Sequence, residues 1–264
     1  MIARIWTIVW KELADVCRSR LILTTLIVPT VLYVVISLAA LSAGSLPGLA
    51  GIPRTEIEAL ERSMPQSSGV PPIEAFQVLM VDQILVLYML APLFIPLTVA
   101  SYSIIGEKQL RTLEPLLATP VRTWELLAAK SIAAIVPGIC VSWASYLAFL
   151  TIAGAIASPG IVRHALNPMW LVAFGVLAPL FALLAVAMAV IASSRTNDPR
   201  AAQQLGAVVI LPISALLSAQ VFGFVRLDLS HAVAISVAVA AIDVVLLWIA
   251  VRLFDRETIL TRWR

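Results

Sequence analysis

Few residues in this chain can do chemistry, and their arrangement excludes several kinds of it. The only histidines are His164 and His231, and the only cysteines are Cys17 and Cys140, far apart in the sequence. There is no G-x-x-x-x-G-K-[ST] run to cradle a phosphate, no G-x-S-x-G turn to present a nucleophile and no H-E-x-x-H pair to bind zinc. The chain therefore has no ATPase site of its own, and neither a metal site nor a disulfide framework is expected. Two charged features remain. One is Asp243, a lone acid inside the apolar run VAVAAIDVVLLWIAV. The other is the stretch EKQLRTLEPLLATPVRTWE, residues 107–125, where Glu107, Arg111, Glu114 and Arg122 accompany a Leu113, Leu116, Leu117 stripe.

The elements that must position these groups are read from composition. The 264 residues are 61% hydrophobic and 12% charged, with mean hydropathy +1.00. A soluble domain carries about 25% charged residues, so this excess of apolar surface needs lipid. Runs of about 20 apolar residues mark six spans, near residues 21–43, 84–105, 131–153, 169–192, 205–221 and 232–251. They do not alternate as barrel strands do, and backbone in hydrocarbon must satisfy itself, so the spans are helices. The fold class expected is an all-α integral membrane protein, one membrane domain over 1–264. Lys and Arg set its orientation. Only Arg54, Arg62, Arg163 and Arg226 fall in the outer segments, and the other 14 of the 18 fall in the inner ones. Both termini and residues 106–130 are therefore expected in the cytoplasm, and loop 44–83 outside.

Ahead of the first span, Ile2, Ile5, Trp6, Val9, Leu13 and Val16 keep helical spacing, while Arg4, Lys11, Glu12, Asp15 and Arg18 take the opposite face. This reads as an amphipathic helix over residues 2–20, lying in the inner interface. The basic flank and the 21–43 run are too long for a cleaved signal peptide, so the first span is expected to be retained. In the 44–83 loop, Thr55 and Glu58 form a capping box for a short helix through Arg62. Trp143, Tyr146, Phe149, Trp170 and Phe174 lie in the outer halves of spans three and four and read as an interfacial aromatic belt. Asp82 reads as solvated at the outer mouth. Prolines recur in spans one to five and are candidate bend points.

Within 107–125, Gly106 is placed to end the second span, and Thr112 to cap a short helix that opens with Glu114 and Pro115. Thr119-Pro120 stops that helix, and Thr123 caps the next. Its leucines face one way, with Glu107, Arg111 and Arg122 the other. A plain connector needs no such stripe. On pattern alone it reads equally as a plug for a socket on a soluble partner and as a helix resting on the bilayer. Asp243 also has two readings, as a pathway residue and as a helix-packing residue.

The run GEKQLRTLEPLLATPVRTWELLAAK resembles the cytoplasmic signature of type-2 ATP-binding-cassette transporter permeases. The matching positions are Glu107, Lys108, Thr112-Leu113-Glu114, Leu116 to Pro120, and Lys130. It departs at Arg111 and Ala129, where the family usually has glycine. The inner loop SSRTNDPRAAQQ is similar to the family's too, and the six-span layout with its leading interfacial helix fits nearly the whole chain. The resemblance implies a permease subunit of an ATP-driven exporter, dimeric with a second permease (identical or different). The 107–125 segment would be the coupling helix that docks into a cytoplasmic ATPase subunit, through Glu107, Arg111, Thr112, Leu113, Glu114, Leu116, Leu117, Thr119, Pro120 and Arg122. ATP and Mg would bind on that partner and no cofactor on this chain, and no nucleic acid is expected as a partner. The competing readings are a stand-alone secondary transporter or channel, which calls for more intramembrane charge, and a membrane anchor for a soluble ATPase with a non-transport task.

Overall fold

The structure is a computed structural model, and it describes residues 2–43, 72–110, 123–221 and 227–253. Every regular element among them is helical. Six are long and apolar enough to cross a membrane. They are preceded by α1 (Ile2–Arg18), and α2 (Arg20–Ala43) is the first span. Ser19 separates α1 from α2, and its hydroxyl accepts a hydrogen bond from the Ile22 amide at 3.4 Å. The capping box at Thr55 and Glu58 lies outside the described residues.

The second span is built from α3 (Pro72–Tyr88) and α4 (Ala91–Gln109). Helix therefore begins well before the apolar run at residue 84, because the polar Gln77, Asp82 and Gln83 are carried on it. The break between α3 and α4 falls one turn before Pro92, whose ring displaces the carbonyl of Tyr88 and offers it no N–H. Gly106 does not end the span. It lies inside α4, and Leu110 is the residue that caps it. The third span is α5 (Thr123–Ile156), 34 residues long, or about 51 Å at 1.5 Å per residue. That exceeds the hydrocarbon core of about 30 Å, so its first turns stand clear of the apolar layer. Gly138 lets α5 approach α4 closely: a Cβ there would fall 2.6 Å from the Pro96 ring.

Two short helices, α6 (Pro159–Ala165) and α7 (Pro168–Val172), lead into the fourth span. That span continues through a π-helical turn, Ala173–Leu177, into α8 (Ala178–Arg195). The turn has an identifiable cause. The Ala178 amide bonds the Ala173 carbonyl, so it is diverted from the Phe174 carbonyl. The next candidate donor is residue 179, a proline without N–H. The orphaned Phe174 carbonyl is satisfied from outside the helix by the Trp143 indole N–H, at 2.8 Å. Trp143→Phe should remove that donor and cost about 1–3 kcal/mol. It is expected to lower the melting temperature of the solubilised protein by several degrees, and an unchanged midpoint would show that the carbonyl has another partner.

The fifth span is bent, with α9 (Pro199–Gly206) passing through a 3-10 turn, Ala207–Val209, into α10 (Ile210–Val221). The sixth is α11 (Leu229–Leu253), whose N-terminal amides are capped by Asp228, with the His231 amide donating to it at 2.9 Å. The core runs along spans two and four. Of their apolar windows 56% and 61% is buried, against 11% for the first span and 22% for the sixth. The apolar flanks of α2 and α11 are left for lipid or another subunit.

Two expectations are corrected here. Tyr146, Phe149, Trp170 and Phe174 are buried, and Tyr146 stacks on Phe174 with ring centroids 4.1 Å apart. Tyr146, Trp170 and Phe174 pack where spans three and four meet, Phe149 meets Tyr88 of the second span edge-on, and of the expected aromatic belt only Trp143 is exposed. Asp82 is not simply solvated, since its carboxylate meets the His164 imidazole on α6 at 2.6 Å. That hydrogen bond raises the His164 pKa above its ordinary value, against the opposing effect of burial.

Candidate functional site

The strongest concentration of buried charge lies at the end of the bundle that carries α1, where three helices meet. On α1, Val9, Glu12 and Val16 share one face by their i, i+3, i+7 spacing, and all three are buried. Glu12 was expected on the polar face. It is instead the one acid in the buried stripe. The cause is the surface α1 packs against: Ala129 and Ala133 of α5 are small enough to let Val9 and its neighbours seat closely. That brings Glu12 to Lys130.

Ser103 and Glu107 are one turn apart on α4 and face the same way. The Lys130 ammonium reaches Glu12 at 3.2 Å and Glu107 at 3.0 Å, and donates to the Ser103 hydroxyl at 2.7 Å. The contacts to Glu12 and Ser103 are hydrogen bonds, and the contact to Glu107 is an ion pair. Ser103 in turn donates to the second Glu12 oxygen at 2.7 Å. Lys130 and Glu12 are each 6% exposed, so this is a desolvated ion cluster. Lys11 stands at its solvent edge, 3.4 Å from Glu12, 3.6 Å from Glu107 and 3.7 Å from Asp15.

Charge states follow from this geometry. Burial works against the Glu12 charge, but Lys130, the Ser103 hydroxyl and Lys11 outweigh it and hold the carboxyl below its ordinary value. Burial likewise opposes the Lys11 charge, and Glu12 and Glu107 overcome it and raise its pKa. Beside the cluster, Asp15, Ile22, Val99 and Tyr102 line a cavity of about 460 Å³ between α1, α2 and α4.

The cluster's place in the chain gives it meaning. Glu107 opens the 107–125 stretch and Lys130 follows its end, so both feet of the segment are fastened to each other and to α1. A second grip comes from the turn between α8 and α9. Lys108 donates to the Thr196 carbonyl at 3.4 Å and Gln109 to that of Asn197 at 2.8 Å. Of the residues expected to contact a partner, Glu107 is in the cluster. Arg111, Thr112, Leu113, Glu114, Leu116, Leu117, Thr119, Pro120 and Arg122 lie outside the described residues. Asp243 is elsewhere, buried on α11. Among the described residues, no three of His, Cys, Asp and Glu are grouped to hold a metal ion.

Six membrane-length helices describe a multi-pass membrane protein, and the match to a known family says which kind. A profile described as ABC-2 family transporter protein matches residues 6–237. The chain belongs to the ABC-2 transporter family. It is thus a multi-pass membrane subunit of an ABC transporter, and its partner is an ABC ATPase subunit. Among curated proteins, none matches the sequence closely enough to be called a relative.

The sequence marks Lys130 only as the close of the family signature, and it does not single out Glu12 or Ser103 as site residues. The available signals were the Ser103–Glu107 spacing, an acid in register with Val9 and Val16, and a lysine set among alanines. None of these says that the three helices converge.

Proposed function

We propose that this ABC-2 permease is the pathway-forming subunit of an exporter, acting as a dimer in the cell membrane, with both termini cytoplasmic. Residues 107–125 form the coupling helix, which docks into the ATPase subunit. ATP and Mg bind on that subunit, and this chain supplies no cofactor site. The observation that carries the reading is the Glu12–Lys130–Glu107 cluster. A segment pushed by a partner moves the membrane spans only if its feet are rigid. Here the two feet, α4 and α5, are locked by one buried ammonium, and α1 is locked with them. Displacement of the segment is then passed to spans two and three together, and to α1 at the interface.

Recruitment is the direct test. Affinity purification of the chain from native membranes should retain an ABC ATPase subunit, and hydrolysis by that subunit should change when the permease is bound. A permease that purifies alone under all conditions would refute the docking. For orientation, single cysteines at Ser68 and Asn197 in a background lacking the native cysteines report opposite sides. A membrane-impermeant thiol reagent on intact cells should label Ser68→Cys and spare Asn197→Cys. The reverse pattern would overturn the topology.

A further inference from the structure

Asp243 lies on the face of α11 that also carries Ala232, Ser236, Val239 and Ala250, the buried residues of that helix. It is 2% exposed. Neither carboxyl oxygen has a hydrogen-bond partner among the described residues. α11 packs on α8, on α7 and on the π-helical turn. From Ala178 to Ala192, α8 has no polar side chain, and neither α7 nor the π-helical turn has an ionisable one.

The charged groups on these elements are all distant along the helices. Arg195 closes the inner end of α8. On α11 itself, Arg252 lies about 13 Å further along and is turned onto the Trp248 ring, 3.8 Å from its centroid. His231 is at the outer end, paired with Asp228. Among the described residues of α11 and the elements it packs on, Asp243 therefore has no countercharge in reach.

The two protonation states differ in what this site can give them. A carboxylate only accepts hydrogen bonds. The amides of α11 are committed to its own ladder, so an ionised Asp243 would be buried with nothing donating to it. A neutral carboxylic acid has a donor, and helix carbonyls accept such donors. Ser236 on the same face already does this, donating to the Ala232 carbonyl at 2.8 Å. A bound metal cation would need several oxygen ligands, and α8 offers no side-chain oxygen over this stretch. Full burial also keeps Asp243 off the exposed faces of the bundle, where a solute would pass.

We infer that Asp243 is a proton-binding site inside the protomer: the joint between spans four and six closes on the neutral acid and loosens when the proton leaves. The proton is thus a ligand of this permease, and it links the α8–α11 packing to pH. The inference rests on the fold of the membrane spans and is independent of the coupling role proposed for residues 107–125.

Infrared spectroscopy of the full chain in lipid nanodiscs reads the proton directly. Near pH 7 the wild type should show the C=O stretch of a neutral carboxylic acid, and Asp243→Asn should lack it. The band should persist to higher pH than an ordinary aspartyl group, which titrates near about 3.9. If wild type and Asp243→Asn show the same carboxylic-acid absorption from about pH 5 upward, the group is ionised and the proton site does not exist. Melting curves test the joint. Raising the pH should lower the wild-type midpoint relative to Asp243→Asn by about 4 °C or more, because only the wild type can ionise there. Parallel pH dependences would overturn the linkage. If Asp243→Asn fails to insert, Asp243→Leu takes its place as the non-ionising reference, since an apolar side chain suits a site built for a neutral group.

Discussion

Lys130→Met is expected to be among the most damaging single substitutions in the described part of this protein. It would leave Glu12 and Glu107 facing each other beside Ser103, with only the half-exposed Lys11 to compensate. Removing one partner of a buried ion pair costs about 3–5 kcal/mol, because the remaining charge stays buried. Part of that loss is recoverable by protonating one carboxylate, so Lys130→Met should be least harmful at low pH. Glu12→Leu combined with Lys130→Met should be more stable than Lys130→Met alone, since it removes one of the two stranded acids and leaves Glu107 with Lys11. Stability and coupling separate in that double variant. It should fold and still bind the ATPase, yet hydrolysis should no longer depend on the permease, because α1 and α5 are no longer tied. Melting curves and ATPase assays on the four members of the cycle give both answers. A Lys130→Met protein that melts with the wild type would mean the cluster braces nothing.

The same cluster has a pH limit of its own, with the opposite sign. The folded-state pKa of Glu12 is depressed below its ordinary 4.5. Its contribution is therefore fully present above that value and is lost as the pH falls through the lower, folded one. At neutral pH the Glu12 contribution is fully present, whereas the Asp243 joint is expected to weaken as the pH rises. The two sites can thus be told apart by the direction of the pH effect alone.

Much of the architecture was legible because lipid imposes a simple rule on sequence. The all-helical class, the six spans and the leading amphipathic helix follow from run length and periodicity, and no tertiary knowledge is needed. What was not legible depends on which faces meet. Glu12 was placed on the polar face of α1 because it is charged, but its position between Val9 and Val16 puts it against α5. Tyr146 and Phe174 resemble an aromatic belt in a linear reading, yet stacking across α5 and the π-helical turn takes them out of the lipid. Gly106 looked like a stop, but glycine is tolerated within a helix at modest cost, and α4 must continue past it to bring Glu107 one turn beyond Ser103. The π-helical turn had a local cue in Pro179, although its acceptor is satisfied only by Trp143 from another span.

The largest effect on coupling is expected from Leu116→Ala combined with Leu117→Ala. If the 107–125 helix fits a groove in the ATPase, these two leucines are its anchors. Truncating a well-packed leucine costs about 2–5 kcal/mol, and a contact carried by a few turns of helix has little else to draw on. The double variant should insert and melt like the wild type, because the clamp formed by Glu107 and Lys130 is left intact. It should lose most of the co-purifying ATPase, or retain it with hydrolysis that no longer responds to the permease. Glu114→Lys should act in the same direction by reversing a charge at the contact, with little effect on insertion, since the site is outside the hydrocarbon. Lys130→Met with Glu12→Leu and this leucine pair then fail differently. The cluster variant binds the ATPase without transmitting its motion, and the leucine variant fails at binding or at the first contact. If both the leucine pair and Glu114→Lys bind and couple normally, the segment rests on the bilayer surface. The ATPase contact must then be sought at the other inner loop, where Gln109 holds the Asn197 carbonyl.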